Sequence, residues 1–261
     1  MAPKTYGDVQ STHLGRVAVV EIRRPPNNFF DTALINSIAD AYEAADADDA
    51  VRAVVLCAEG KHFCSGADFA SRSLQETIEG TDGGKHLYKH ASRMMRTRKP
   101  VVAAVQGAAI GGGLGVALTA DFRVTCEEAR FSANFTRMAF HPGFGLTCTL
   151  PRLVGTQQAA LLFYTGRRVP GGEAVALGLA EKLVALSDLR AAAIAMAEDI
   201  AVSGPLALIS TRETMRRGLL DAFETATERE LTEQEWLRKT QDFREGTKAM
   251  GERREPVFSN R

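Results

Sequence analysis

Three short, nearly continuous apolar runs stand out in the first part of the chain: residues 17–22, 53–58 and 101–106. Such runs predict strands covered on both faces. Between the first two, Ile35, Ile38, Tyr42 and Ala45 recur every three or four positions behind Asp31, which predicts an amphipathic helix with Asp31 as its cap. From about residue 10 to about 185 the pattern alternates in this way, which predicts an α/β layer. Beyond it the texture is helical. Leu189, Ala193, Met196 and Ile200 mark one helix, closed by Ser203-Gly204-Pro205; a second follows Pro205, and two more extend to about residue 252. The expected organisation is an α/β core over residues 1–187 and a helical region over 188–261, too short to own a core and suited to packing on a neighbouring subunit. The basic stretch 93–99 reads as a solvated helix face.

Composition narrows the function classes. Lys and Arg total 32, as do Asp and Glu, so the formal charge is zero. This argues against a protein built to hold nucleic acid or an anionic membrane. No apolar run reaches the roughly 18 residues of a membrane span. The first residues carry no apolar leader core, and Cys57, Cys64, Cys126 and Cys148 form no CxxC pair, so the expected location is the cytoplasm.

The most informative segment runs from the strand at 101–106 into Gly107-Ala108-Ala109-Ile110-Gly111-Gly112-Gly113, followed by a helix expected over 116–120. Glycines there admit close approach of a ligand to backbone, and N–H groups at a helix start face negative charge. A dinucleotide GxGxxG fails because position 116 is Val, and a P-loop fails for want of a following Lys. Tight helix-on-strand packing is the plainer alternative, although glycine costs about 1 kcal/mol per helical position. A second loop, Phe63-Cys64-Ser65-Gly66-Ala67-Asp68, follows the strand at 53–58. Ser65 lacks the flanking glycines of a nucleophile elbow, and Cys64 reads as a buried small hydrophobe. Two loops of backbone donors, each after a strand, suit a developing oxyanion better than a phosphate.

These two loops resemble those of the crotonase, or enoyl-CoA hydratase/isomerase, superfamily. The likeness extends to Arg24-Pro25-Pro26-Asn27-Asn28, Ala120-Asp121-Phe122-Arg123-Val124, Ala129-Arg130-Phe131, Pro151-Arg152-Leu153-Val154-Gly155, Thr165-Gly166-Arg167-Arg168, Glu173-Ala174 with Leu177-Gly178-Leu179, and Glu245-Gly246 with Arg253 to Phe258. The resemblance implies a spiral of ββα units with a helical C-terminal trimerisation region, assembled as a homotrimer or homohexamer. It implies an acyl-CoA thioester ligand, with coenzyme A part of the substrate and no separate cofactor or metal. The oxyanion donors it implies are the N–H groups of Ala67 and Gly112. Ser65, Gly66, Gly111 and Phe135 would line the substrate site and Asp68 would brace its loop. Arg24 and Lys61 would meet CoA phosphates, with Arg253 or Arg254 reaching a neighbour's CoA.

One departure matters more than these matches. Hydratases of the superfamily use two glutamates to deliver water; their positions here hold Gly115 and Phe135, and a third acid position falls at or beside Gly143. Glycine and phenylalanine cannot move a proton. His141 is a candidate acid or base, against a reading in which its imidazole bonds backbone beside Pro142. Asp82, His86, Tyr88 and His90 lie on the segment that lines the acyl pocket in the superfamily; surface placement is expected for the two histidines. The expected activity is therefore acyl-CoA chemistry of hydratase/isomerase type. Decarboxylation, isomerisation, thioester hydrolysis and non-catalytic acyl-CoA binding stand as alternatives.

Overall fold

The protein's computed structural model describes residues 2–68 and 87–261. Strands β1 (Lys4–Tyr6), β2 (Val9–Leu14) and β3 (Val17–Ile22) form an antiparallel meander. Helix α1 (Thr32–Ala47) follows, with the Asp31 carboxylate accepting the Leu34 N–H at 2.9 Å as its cap. Then come β4 (Ala53–Ala58), α2 (Leu87–Met95), β5 (Val101–Val105), β6 (Ala108–Ile110), α3 (Gly112–Leu118), β7 (Phe122–Thr125) and β8 (Arg130–Ser132). The chain continues through α4 (Leu146–Val154), α5 (Thr156–Thr165), β9 (Val169–Pro170), α6 (Gly171–Ala176) and β10 (Lys182–Leu183). Helices α7 (Leu189–Ala201), α8 (Pro205–Met215), α9 (Leu219–Leu237) and α10 (Gln241–Glu252) complete it.

Among the described residues one sheet has the order β1-β2-β3-β4-β5-β7-β10, parallel from β3 onward, and a smaller sheet has the order β6-β8-β9. Every residue of β4 and β5 is buried, as their unbroken apolar sequence requires. Helix α1 packs over the meander, and α7 lies across β3, β4, β5 and β7 through Leu189, Ala193, Ala197 and Ala201. The first helix of the C-terminal region thus covers the chain's own sheet. No single helix among the described residues is long and apolar enough to cross a membrane.

Three local expectations are corrected. The glycine triplet does not precede a helix at 116–120; it forms the first turn of α3, which spans Gly112–Leu118. Lys99 is not on a solvated helix face: it is buried beyond the end of α2, and its Nζ donates to the carbonyls of Ala45 (2.5 Å) and Asp48 (2.6 Å) at the C-terminus of α1. His90 is buried rather than at the surface, its Nδ1 3.3 Å from Arg93 Nη1. Asp82 and His86 lie outside the described residues.

Candidate active site

The two glycine-bearing loops leave adjacent parallel strands at their C-terminal ends and are tied together by backbone. Phe63 N–H donates to Gln106 O (2.8 Å), Cys64 N–H to Ala108 O (2.9 Å) and Ile110 N–H to Cys64 O (3.1 Å). The Gln106 amide adds bonds to Ala58 O (2.8 Å) and Gly60 O (3.2 Å). His62 accepts the Ala108 N–H on Nδ1 at 3.0 Å; burial, then the nearby Lys61 charge, lowers its pKa and favours this neutral acceptor form. A third segment buttresses the pair: Asn28 Nδ2 donates to Glu59 O (2.9 Å) and His62 O (2.6 Å), and Ser65 N–H to Asn27 O (3.0 Å).

This scaffold sets two backbone donors beside one cavity. Phe30 forms a parallel bridge with Ala67, its N–H donating to Gly66 O at 3.0 Å. That pairing runs through the neighbours of Ala67, so the Ala67 N–H points away from Phe30. Gly111, at φ +56°, turns the chain into α3, whose first intrahelical bond is Gly115 N–H to Gly111 O (3.2 Å). The N–H of Gly112 precedes that bond and has no helical acceptor. Gly112 also has to be glycine, because a Cβ would lie 2.4 Å from the Phe30 ring. Ser65, Gly66, Ala67, Gly111, Gly112 and Phe135 all line this cavity.

The remaining wall is largely apolar: Phe30, Leu87, Ile110, Met138, Phe140, Phe144 and Met250, with Tyr88, Asn134 and Gln234 as polar members beside Ser65. No carboxylate is among the described lining residues. The three acid positions are physically filled. A Cβ on Gly115 would lie 2.6 Å from the Phe144 Cβ, and Phe135 is itself a buried wall residue. A Cβ on Gly143 would lie 2.2 Å from Tyr88 Oη and 2.4 Å from Gln234 Nε2.

The wall is held from α9. Gln234 Nε2 donates to His141 O (3.0 Å) and Pro142 O (3.3 Å), while its Oε1 accepts the Tyr88 hydroxyl at 3.0 Å. One turn earlier, Glu230 accepts the Gly145 N–H (2.7 Å), the Thr147 N–H (3.0 Å) and the Thr147 hydroxyl (2.7 Å). Burial dominates those bonds and pushes the Glu230 carboxyl up to about 7. Cys64 is buried, its thiol pushed up to about 12 by desolvation, which leaves no thiolate for chemistry.

Other sequence candidates stand apart from this cavity. His141 lines a different groove, with Nδ1 donating to Pro142 O at 2.8 Å. Arg24 is engaged by Asp8 (2.7 Å) and Asp31 (3.0 Å), and Lys61 is exposed. Arg254 is paired with Glu245 and Glu252, and Arg253 is exposed. Asp68 is half-buried and is not among the lining residues. Sequence reasoning missed Phe30, Asn134, Phe144, Glu230 and Gln234, which carry no local motif and meet only in the fold.

Comparison with known proteins agrees with this geometry. A family model described as enoyl-CoA hydratase/isomerase matches residues 13–261. The chain is 35% identical to a short-chain-enoyl-CoA hydratase of Clostridium acetobutylicum, over 81% of this chain and 82% of that protein. It is 32% identical to an enoyl-CoA isomerase/hydratase of Zymoseptoria tritici, over 97% of this chain and 87% of that protein. Among solved structures, an enoyl-CoA hydratase/isomerase from Pseudoalteromonas atlantica superposes with a TM-score of 0.87 at 27% identity, covering 97% of this chain and all of that one. A carnitinyl-CoA dehydratase from Mycobacterium avium does so with a TM-score of 0.83 at 29% identity, covering 97% and 99%. The chain belongs to the enoyl-CoA hydratase/isomerase family, within the crotonase superfamily.

Proposed function

We propose that this protein acts on acyl-CoA thioesters by stabilising an enolate, and that its reaction is one in which no pair of carboxylates delivers water. The thioester carbonyl oxygen would accept the N–H groups of Ala67 and Gly112. Each such donor is worth about 3 kcal/mol of transition-state stabilisation in a water-poor site. The observation that carries the reading is the pairing of these donors with a cavity whose acid positions are filled by Phe144, Phe135 and the Tyr88–Gln234 pair. Among enolate reactions, decarboxylation of a β-carboxyacyl thioester fits best. The carbon–carbon bond breaks, carbon dioxide leaves, and the electron pair passes into the enolate without any base. Lys61, exposed and near the oxyanion loop, is the better candidate than the doubly paired Arg24 for a CoA phosphate. The same reading places the protein in the cytoplasm, as a homotrimer or homohexamer with no separate cofactor.

The test is incubation with a panel of malonyl-, enoyl- and saturated acyl-CoAs in deuterated water, products being separated by chromatography with mass detection. Carbon dioxide loss with one deuterium gained at Cα is the expected result. Formation of 3-hydroxyacyl-CoA as the main product, as the names of several relatives suggest, would overturn the reading. The filled acid positions favour one alternative, an acyl-CoA-binding protein; saturable binding without product or exchange identifies it.

A further inference from the structure

Of the three polar side chains that stand with Ser65 in the cavity wall, two are spent on each other and on backbone. The Tyr88 hydroxyl donates to Gln234 Oε1 (3.0 Å), and Gln234 Nε2 donates to His141 O (3.0 Å) and Pro142 O (3.3 Å). Asn134 differs. Its Oδ1 is buried without a hydrogen-bond partner, and its Nδ2 has the Met250 sulfur, a weak acceptor, at 4.0 Å. Neither end of this carboxamide is firmly bonded among the described residues. Buried amides are ordinarily paired within the protein, so an unclaimed one in a cavity wall points to a group brought by the ligand.

The fold holds Asn134 beside the oxyanion loop. It opens the 3-10 turn Asn134–Met138 after β8. Ser132 of that strand accepts the Gly111 N–H at 2.8 Å and donates its hydroxyl to Gly166 O at 3.0 Å. A Cβ built on Gly111 would lie 3.6 Å from Asn134 Oδ1. By standard bond lengths that oxygen is therefore at most about 7.5 Å from the Gly112 nitrogen. A thioester whose carbonyl oxygen rests on Gly112 can span that interval with a carboxyl group one carbon further on.

We propose that Asn134 is a specificity-determining residue whose Nδ2 donates to the carboxylate of a β-carboxyacyl thioester. The inference rests on the decarboxylase reading above. No Lys, Arg or His is among the described residues lining the cavity, so the carboxylate is oriented there by a neutral donor. That suits the reaction. In the bound substrate the negative charge sits on the carboxylate, and as carbon dioxide leaves it moves to the thioester oxygen at Ala67 and Gly112. A cation at the carboxylate would stabilise the ground state more than the transition state, whereas a neutral amide orients the leaving group with less of that penalty. An acyl chain without the carboxylate gains nothing from Nδ2, so the residue discriminates between the two classes of thioester.

The test compares a 2-alkylmalonyl-CoA with the saturated acyl-CoA of the same carbon chain that its decarboxylation yields. Asn134→Leu keeps the approximate size of the side chain and removes both polar ends. It is expected to lower kcat/KM for decarboxylation by about 10- to 100-fold, the loss of one hydrogen bond to a charged group, with Kd for the saturated acyl-CoA within about 2-fold of wild type. Asn134→Ala should discriminate in the same direction and carries the test if the leucine variant fails to fold. An unchanged kcat/KM, or equal losses for the two ligands, overturns the assignment while leaving the decarboxylase reading in place. A wild type that releases no carbon dioxide from any β-carboxyacyl-CoA overturns that reading and this assignment with it.

Discussion

At the scale of single residues, the glycines at family acid positions are filled space, not vacant sites awaiting a carboxylate. Gly115 lies in α3 with its Cα hydrogen facing Phe144, and a side chain there needs Phe144 to move. Gly115→Glu is therefore expected to lower stability by about 1–3 kcal/mol through overpacking and to confer no hydratase activity. Urea denaturation together with an enoyl-CoA hydration assay checks both. Adding Phe144→Ala should recover part of the stability by giving the new side chain room. His141, bonded to the neighbouring Pro142 carbonyl in a separate groove, should behave differently. His141→Ala is expected to leave turnover within about 2-fold of wild type, a single substitution typically being mild where no buried network is broken.

At the scale of elements, α9 clasps the 141–147 loop with two side chains spaced four residues apart, which share one helix face. Glu230 supplies the acceptors for N–H groups at the start of α4, yet it does so from complete burial. Its folded pKa of about 7 lies above the ordinary 4.5, so between those values the native protein holds a proton that the unfolded chain has released. This group's stabilising contribution is fully present below about pH 4.5 and is lost as pH rises through about 7. At about 1.4 kcal/mol per pH unit over about 2.5 units, the full effect is about 3.5 kcal/mol. Tyr88 on α2 and Cys148 on α4, whose pKa values are both raised, stay neutral across that window. Unfolding free energies of the wild type and Glu230→Gln, measured at pH 5 and pH 8, should differ in their change between the two pH values by most of that amount, with the variant the flatter.

At the scale of the whole molecule, the C-terminal helices have two faces with different work. One covers the sheet and the cavity through α7 and α9, as described. The other leaves Val202, Leu206 and Met215 at 69%, 80% and 69% exposure along the end of α7 and α8. We propose that these residues are covered by a neighbouring copy in the homotrimer or homohexamer. Light scattering should give three or six times the chain mass of 28.2 kDa. The double substitution Leu206→Lys with Met215→Lys should shift the mass toward that of a single chain, since buried charges without partners oppose association. A wild-type mass of one chain would refute the assembly.

What could be read in the chain were features with local causes. Unbroken apolar runs mark β3, β4 and β5 because both faces of those strands are buried. Asp31 marks the start of α1 because a cap must sit next to its helix, and the glycine loops stand out because tight turns and close approach exclude side chains at fixed spacing. The resemblance of those loops in order along the chain led to the family and to Ala67 and Gly112. Whether a position without a carboxylate is open or closed was not legible. That answer depends on residues 88, 144 and 234, brought together by packing between α2, the 141–147 loop and α9. For the same reason Lys99, at the end of the basic stretch, and His90, on the segment before it, read as surface and proved buried: partners on another element, the carbonyls of Ala45 and Asp48, offset the cost of removing Lys99 from water. Local sequence determined the buried strands β3, β4 and β5, the cap of α1 and the two glycine loops, whereas only the tertiary structure decided what stands opposite those loops, because contacts between distant segments leave no periodic trace in the chain.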